Sequence, residues 1–477
     1  ANVAGGVAGR QGGDQAELDN STFGGAITVD GQGVARVAGG IVGQLDGGSI
    51  SGSFYNAEAV TFNGEKAFTR GALYAAQYNQ WLNQEGYLDI EAAFGAPDND
   101  GRYHIGNVHQ WRQLLAWADR NYSFVLDADL DLSQDSGFSL AYFKGNLDGG
   151  GHTVSGHRLS NLTLSLDWGL FGKVAAGSSI SNLTLSGSQL SALGNVGLLA
   201  GSNAGTLSNV NAGGVLQGGG VAGASHSGGL VGVNSGSISQ AGSQGSVSGS
   251  EDTGGLVGLN QGQITNSLSA ATVAATQDNA GGLVGRNSGA QASIETSQAQ
   301  GAVNAASVAG GLVGRNENQA LVSDSQASGA VSGSSYIGGL AGLNSDASIR
   351  SALASGNVTA SGDYAGGLVG SNQASAVMAS ISGSSASGHV SAASHVGGLA
   401  GSNESGEATA YIGNSQASGN VTGSGSRVGG LVGAQYAYGS AEASIERGTA
   451  SGVVSGQNQV GGLLGQQTGA SASLRDS

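Results

Sequence analysis

The sequence contains no cysteine and a single proline, Pro97, in 477 residues. Zero cysteine excludes a disulfide framework and thiolate-bound metal. The near absence of proline matters because 91 residues are glycine. Glycine at that level with abundant proline would signal a low-complexity or disordered chain, and without proline it does not. Charge is also scarce, at 10%, and lopsided: 16 basic against 32 acidic side chains, a net charge of -16. Lysine stands only at Lys66, Lys144 and Lys173. A surface of that sign argues against nucleic acid and anionic membrane as partners and favours cations or neutral polar surfaces. No apolar run approaches the roughly 18 residues that a membrane-spanning helix requires. The start, Ala1-Asn2-Val3-Ala4-Gly5-Gly6, lacks the charged and apolar segments of a signal peptide, so it reads as processed or excised.

What is present is one phrase, Gly-Gly-Leu-Val-Gly-x-Asn, first complete at 228–234. Its leucine slot recurs at Leu230, Leu256, Leu283, Leu312, Leu340, Leu368, Leu399, Leu431 and Leu463, in steps of 26, 27, 29, 28, 28, 31, 32 and 32 residues. A weaker copy runs over 196–203, and degenerate copies at 5–9 and 39–43 lie 34 residues apart. A period of this length predicts a solenoid, whose repeats bury their apolar faces only on one another. Within 310–337 the pattern predicts three short strands, at 310–314, 321–325 and 329–333, with Asn316 at a bend. Three strands per rung is the grammar of a right-handed parallel β-helix, an all-β fold whose interior ladders would be built by Leu312, Val331 and their equivalents. The asparagine slot recurs at Asn203, Asn234, Asn260, Asn287, Asn316, Asn344, Asn372 and Asn403, then becomes Gln435 and Gln467. An amide at each of these positions can bond the amides above and below it, or the turn backbone.

Four pieces follow from this pattern. Residues 1–60 read as degenerate solenoid coils, 61–124 as an aromatic, partly helical insertion or cap, 125–190 as the first coils of a second β-helix, and 191–477 as the regular array. In the insertion, Asn107 can cap a helix with Trp111, Leu114, Leu115 and Ala118 on one face. A second helix is expected over 72–84, with Tyr74, Tyr78, Trp81 and Leu82, and a turn over 97–101. The echoes at 159–164 and 180–185, 21 residues apart, suggest a shorter rung.

At this point the residues resemble a known family. The phrase, followed by a Gly-x-Ile-x-Asn-Ser-like strand and a Gly-x-Val strand, resembles the GLUG repeat. So do the segments 105–111, 122–132 and 145–154 before the array, the last with Leu147 in place of the usual phenylalanine. The likeness covers roughly 100–477 and, less closely, 36–60. GLUG repeats occur in large bacterial surface and secreted proteins, including filamentous-haemagglutinin-like two-partner-secretion adhesins and non-catalytic parts of immunoglobulin A1 proteases. The resemblance implies an extracellular protein, secreted or at the bacterial surface, and Cys-free sequences are common in that class. The amino-terminal secretion domain of such adhesins is not in this sequence, which implies an internal or carboxy-proximal piece.

Catalytic and metal motifs are few. Asp127, Asp129 and Asp131 alternate and would share one strand face opposite Leu126, Leu130 and Leu132, a candidate Ca²⁺ site set against a solvated strand face. Asp98 and Asp100 lie in a loop with some calcium-site character but without the glutamate of an EF-hand. Asp148 and His152 could form an acid/base pair or a glycine-rich corner. No histidine is followed by glutamate, so His-Glu-x-x-His is missing, and no Gly-x-Ser-x-Gly sits in a strand-to-helix context. Tyr74, Tyr78, Tyr87, Trp81, Trp111 and Trp117 could stack on sugars or form a small core. The last rung, ending Leu474-Arg475-Asp476-Ser477, shows no polar cap, so either the chain is cut from a longer one or rods stack end to end. The reading is a non-enzymatic adhesin segment with no obligate cofactor, Ca²⁺ being the one candidate. Its expected partners are a host or bacterial surface glycan, an exopolysaccharide, a surface protein, or a copy of itself. A polysaccharide-degrading β-helix and the stalk of a secreted protease are the alternatives.

Overall fold

A computed structural model describes residues 2–11, 15–19, 21–23, 25, 27–29, 36–39, 41–45, 49–51, 54–55, 60–62, 90–114, 117–118, 121–134, 139–219, 225–438 and 440–477. The helix expected over 72–84, Tyr87 and Leu115 fall outside these residues. The fold is an all-β parallel solenoid, organised as two compact units, Ala1–Gly219 and Gly220–Ser477.

The second unit is the regular one. In the rung of Leu312 the strands are Ala309–Gly310, Val313–Glu317, Leu321–Ser323, Gln326–Ala327 and Val331–Gly333. Each pairs in parallel with its counterpart one rung on: Ala309 with Ile337, Val313 with Ala341, Val322 with Ile349, Ala327 with Ala354, and Val331 with Val358. Five short strands thus replace the three expected. One reason is a corner at Asp324, which has φ 49° and separates Leu321–Ser323 from Gln326–Ala327. The same left-handed corner recurs at Asn266, Thr296, Ser351, Asn414 and Arg447. Gly311 and Leu312 form another corner rather than part of a strand.

Three apolar columns fill the interior. The repeat leucines Leu230 to Leu431 are buried, and so is the column Ile238, Ile264, Ile294, Val322, Ile349, Ile381, Ile412 and Ile445. A third cluster joins Val273, Val303, Val331, Val358, Val390 and Val421 to Ala280, Ala309, Ile337, Ala365, Val396 and Val428. These are mostly β-branched or small side chains, which suit short strands in a narrow core. Glycine is required where rungs touch: a Cβ on Gly311 would lie 2.1 Å from the carbonyl oxygen of Gly339 in the next rung.

The asparagine column is interior. Asn316 lies within Val313–Glu317 and is fully buried, not at a bend as expected. Its strand pairs it with Asn287 and Asn344, so the amides stack in register. Each Nδ2 donates to the next Oδ1: Asn234 to Asn260 at 2.8 Å, Asn260 to Asn287 at 2.7 Å, and Asn287 to Asn316 at 2.9 Å. The ladder continues through Asn344 and Asn372 to Asn403 at 2.7–2.8 Å. The same amides also reach backbone carbonyls, as Asn260 does at Gly262 and Ser293. The ladder stops at Gln435, whose extra methylene carries its amide nitrogen to the carbonyls of Ala443 and Ser473 and leaves its buried Oε1 without a partner.

In the first unit, residues 2–62 contain two stacked rungs, with Gly5 paired to Gly39, Ala8 to Val42, Leu18 to Ile50 and Val60 to Ile27. Among the described residues two helices follow, α1 (Ile90–Phe94), which the sequence pattern did not suggest, and α2 (Val108–Gln113). Asn107 caps α2 as expected, accepting the Gln110 N–H at 2.9 Å. Arg102–Ile105 is a solenoid strand paired with Ser123–Leu126, so the expected insertion carries part of the ladder. Trp111 and Trp117 are buried against Phe171 and Phe94, which makes them core rather than sugar-stacking surface. The 21-residue echo is not a rung. Leu147 pairs with Ile180, Val154 with Leu185 and Leu159 with Leu190, so the true spacing is that of the array.

Asn316→Ala should orphan the Asn344 Oδ1 and one Asn287 N–H and open a void. Urea denaturation should show a loss of about 2–4 kcal/mol. Gln435→Asn should instead extend the ladder by one step and gain about 1 kcal/mol by the same measurement.

Candidate functional site

The aspartates singled out in the first unit do not converge. Asp127, Asp129 and Asp131 point away from buried Leu126, Leu130 and Leu132, but the strand breaks between Leu126 and Leu130 and each carboxylate has its own partner. Asp127 pairs with His104 Nδ1 at 2.8 Å. Asp129 accepts the Thr153 N–H at 2.8 Å and lies 3.2 Å from His152 Nδ1. Asp131 accepts the Ser133 N–H at 2.9 Å. These contacts, the Thr153 and Ser133 backbone N–H groups first, hold Asp129 and Asp131 below the usual carboxylate range. Asp98 closes the expected turn by accepting the N–H groups of Asp100 and Arg102 and the Arg102 guanidinium at 2.9 Å. Asp100 faces Arg102 at 3.5 Å, so a guanidinium occupies the place a cation would take. Asp148 and His152 have different partners: Asn182 and Gly150 for the first, Asp129 for the second. Among the described residues no group of three or more His, Cys, Asp or Glu could hold a metal ion.

The arrangement that does converge lies on the second unit. Stacking in register lines up three outer positions, counted from the repeat leucine. The position four before it carries His226, Asp252, Asn279, Val308, Tyr336, Tyr364, His395, Arg427 and Gln459. Three after it come Val233, Leu259, Arg286, Arg315, Leu343, Ser371, Ser402, Ala434 and Gln466, and five after it Ser288, Glu317, Ser345, Gln373, Glu404, Tyr436 and Thr468 among others. The last two columns belong to one parallel sheet, with Arg286 paired to Arg315, Ser371 to Ser402, and Glu404 to Tyr436. The first column is a corner with positive φ, including 57° at Tyr336, 64° at Tyr364 and 53° at His395.

Two chemistries share this face. At one end Asp252, only 2% exposed, lies 2.8 Å from His226 and 2.7 Å from Arg286 and accepts the Asn279 amide at 2.9 Å. Burial alone would raise its pKa, but His226, Arg286 and Asn279 together outweigh that and hold it below the usual value. Arg286 and Arg315 also approach Glu317, at 3.8 and 3.7 Å. This end is an ion network that pins the corner.

Further along, the corner becomes aromatic. Tyr336 and Tyr364 stack with centroids 4.7 Å apart and planes 3° from parallel, and His395 continues the stack at 4.3 Å. His395 Nε2 lies 3.1 Å from the Tyr436 hydroxyl, and Tyr436 stacks on Tyr438 at 5.8 Å. Glu404 sits among them, mostly buried, with Oε1 lacking any hydrogen-bond partner. Burial pushes its carboxyl above the usual range, against a partial correction from the Ser402 hydroxyl. Burial and then the Glu404 charge push Tyr364 up to about 12. Burial and the nearby Arg427 charge push His395 down, which favours the neutral imidazole. The sequence reading missed this cluster because it followed the apolar phase of the repeat. The signal was available in the residues four before and five after each leucine.

Parts of this chain are similar to known proteins. The GLUG motif matches residues 305–332. Halomucin of Haloquadratum walsbyi is 34% identical over 119 residues, 21% of this chain and 1% of that protein, so the match spans a small fraction of halomucin's length. A solved chain from Bacteroides ovatus, whose name carries the words immunoglobulin A1 protease, aligns over 55% of this chain and 78% of its own, with a TM-score of 0.39 and 20% identity. The chain is therefore a β-solenoid that carries a GLUG motif at residues 305–332. Among the described residues no helix is long and apolar enough to cross a membrane.

Asp252→Asn should leave the Arg286 charge without its buried partner and cost about 3–5 kcal/mol at pH 7. The stabilisation from Asp252 itself is present above the ordinary aspartate pKa and is lost as pH falls below it, because its folded-state pKa is depressed. Glu404 has the opposite sign. Its raised pKa means that ionisation destabilises the fold as pH rises through the ordinary glutamate range. Glu404→Gln should therefore raise the denaturation midpoint at pH 7 and leave it unchanged at pH 4.

Proposed function

We propose that this chain is a non-catalytic, extracellular attachment segment, whose solenoid holds an aromatic-lined face against carbohydrate of a cell surface or its surrounding matrix. The observation that carries this reading is the placement of Tyr336, Tyr364, His395, Tyr436 and Tyr438 on one face of a regular scaffold. The nine rungs counted among the described residues of the second unit extend about 40 Å at the spacing of parallel strands. Tyrosine offers broad contact area with a polar tip, which suits a ligand that is part apolar and part hydroxylated.

Repeat length supports the same face. From the ladder amide to the next interior Ile or Val, the chain advances four residues at Asn234–Ile238 but nine at Asn403–Ile412 and ten at Gln435–Ile445. Insertions in solenoids gather on one face, often the binding face, and here they directly follow the position of Glu404 and Tyr436. Extracellular placement is supported by the GLUG repeats, the likeness to halomucin and the absence of cysteine. A filamentous-haemagglutinin-like adhesin is the finer form of this proposal.

A glycan-cleaving reading has less support. Hydrolysis of a glycosidic bond ordinarily needs two carboxylates about 5–9.5 Å apart. In the column of Glu404 the other carboxylate is Glu317, three rungs away, or roughly 14 Å at strand spacing.

Retention of the full chain on cells and on immobilised matrix polysaccharide tests the proposal. Tyr364→Asn, which keeps a residue tolerant of left-handed backbone, combined with Tyr436→Ser should cut retention about tenfold or more with the denaturation midpoint nearly unchanged. Unchanged retention in this variant would remove the aromatic face from the function, and release of reducing ends would overturn the non-catalytic assignment.

A further inference from the structure

Glu404 is out of place on stability grounds. The same column carries Ser345, Gln373 and Tyr436 in neighbouring rungs, all neutral and able to sit beside the aromatic stack without desolvating a charge. A buried carboxylate is normally matched by a cation or several hydrogen bonds, because an unmatched one costs several kcal/mol. Among the described residues the one side-chain donor at Glu404 is the Ser402 hydroxyl, one oxygen has no partner, and no cationic group lies within ion-pair distance. The contrast with Asp252 on the same face, which has His226, Arg286 and Asn279, shows that the scaffold readily supplies such partners where a carboxylate is structural.

The surroundings of Glu404 are those of a cation site. Tyr336, Tyr364, Tyr436 and Tyr438 lie close enough to its carboxylate for its charge to act on each phenol. A half-buried carboxylate set among phenol groups attracts an ammonium group through a charge-assisted hydrogen bond, more strongly where water is displaced. A second feature narrows the ligand. The hydroxyls of Tyr336 and Tyr364, stacked on adjacent rungs, make no hydrogen bond with another described residue. A lysine side chain brings an ammonium on a bare methylene stem and leaves these hydroxyls unmatched. An amino sugar brings the ammonium together with hydroxyls at ring spacing and an apolar ring face.

We infer that Glu404, with Tyr336, Tyr364, His395, Tyr436 and Tyr438, binds the free amine of a non-acetylated amino sugar in a glycan. The inference rests on the attachment reading and names its ligand. N-acetylation removes both the positive charge and the space beside the carboxylate, so the site selects the deacetylated sugar.

Titration calorimetry of the full chain at pH 7 with a glucosamine tetramer and with its fully N-acetylated counterpart tests it. The expected result is binding of the glucosamine tetramer, weakened about tenfold or more by Glu404→Gln, and little or no binding of the acetylated tetramer. Glu404→Asp, which keeps the charge but shortens its reach, should bind between the two and guards against misreading a folding defect. Equal binding of both tetramers, indifference to Glu404→Gln, or no binding of either overturns the inference. Competition by Nα-acetyl-lysine amide as strong as that by monomeric glucosamine overturns the sugar assignment. Retention on cells or matrix is measured on the same Glu404→Gln protein. If retention persists where tetramer binding fails, the amine site falls while the attachment reading stands, and loss of both from the parent chain sinks the two together.

Discussion

The closeness of successive rungs at the Gly-Gly corner is the constraint on which the rest of this solenoid depends. At each of Gly229, Gly255, Gly282, Gly311, Gly339, Gly367, Gly398 and Gly430, a Cβ would lie 2.0–2.2 Å from a glycine carbonyl oxygen of the following rung. No side chain fits at that distance, so every rung must place the same dipeptide at the same corner. That fixes register, because a slip by one residue would bring a bulky side chain into the contact. The asparagine ladder is a consequence. Once corners are aligned, amides seven residues or fewer from them meet at hydrogen-bond distance and satisfy one another inside an otherwise apolar core, where an unpaired amide would be costly.

The same constraint explains what could be read from the sequence alone. The phrase, its period and the asparagine slot gave a parallel solenoid, because each is imposed by an interior contact that admits few residues. The two rungs in 2–62 were legible for this reason, as was the α2 cap at Asn107, whose local chemistry is short-range. Strand count was not legible, because residues such as Asp324 and Thr296 turn the chain through positive φ without being glycine. Asn316 was misplaced at a bend for a related reason. An asparagine among glycines suggests a turn, and only the stacking of rungs reveals an interior amide column. The 21-residue echo between 159–164 and 180–185 misled because both segments alternate apolar residues, yet they lie at different places on the rung and each pairs with other partners.

The candidate site was less legible, and the cause is physical. Interior positions repeat because their neighbours are copies of themselves. Outer positions are relieved of that demand, so their identities change from rung to rung and show no period. Asp252 and Tyr364 occupy equivalent corners and serve different ends: one is saturated by His226, Arg286 and Asn279, the other stacks between Tyr336 and His395. The aspartates with the more obvious spacing, Asp127, Asp129 and Asp131, are each engaged separately by His104, by Thr153 and by Ser133. Spacing identified a face, but it could not show that the carboxylates on it were already occupied.

Energetic cost helps to separate structural from functional positions on this surface. Asparagine and aspartate tolerate left-handed backbone, so Asn279 and Asp252 are ordinary corner residues. Tyrosine does so less readily, yet Tyr336 and Tyr364 sit at φ 57° and 64° on consecutive rungs. Five and six rungs on from Asp252 the scaffold also accepts a buried carboxylate without a countercharge and an amide ladder that fails at Gln435. Tyr336, Tyr364, Glu404 and Gln435 stand in the rungs from Leu340 to Leu431, and the loops following the sheet strands are longest in the rungs of Leu368, Leu399 and Leu431. Two strained tyrosine corners beside one carboxylate without a countercharge are the pattern expected where a surface is shaped by what it holds rather than by its own stability.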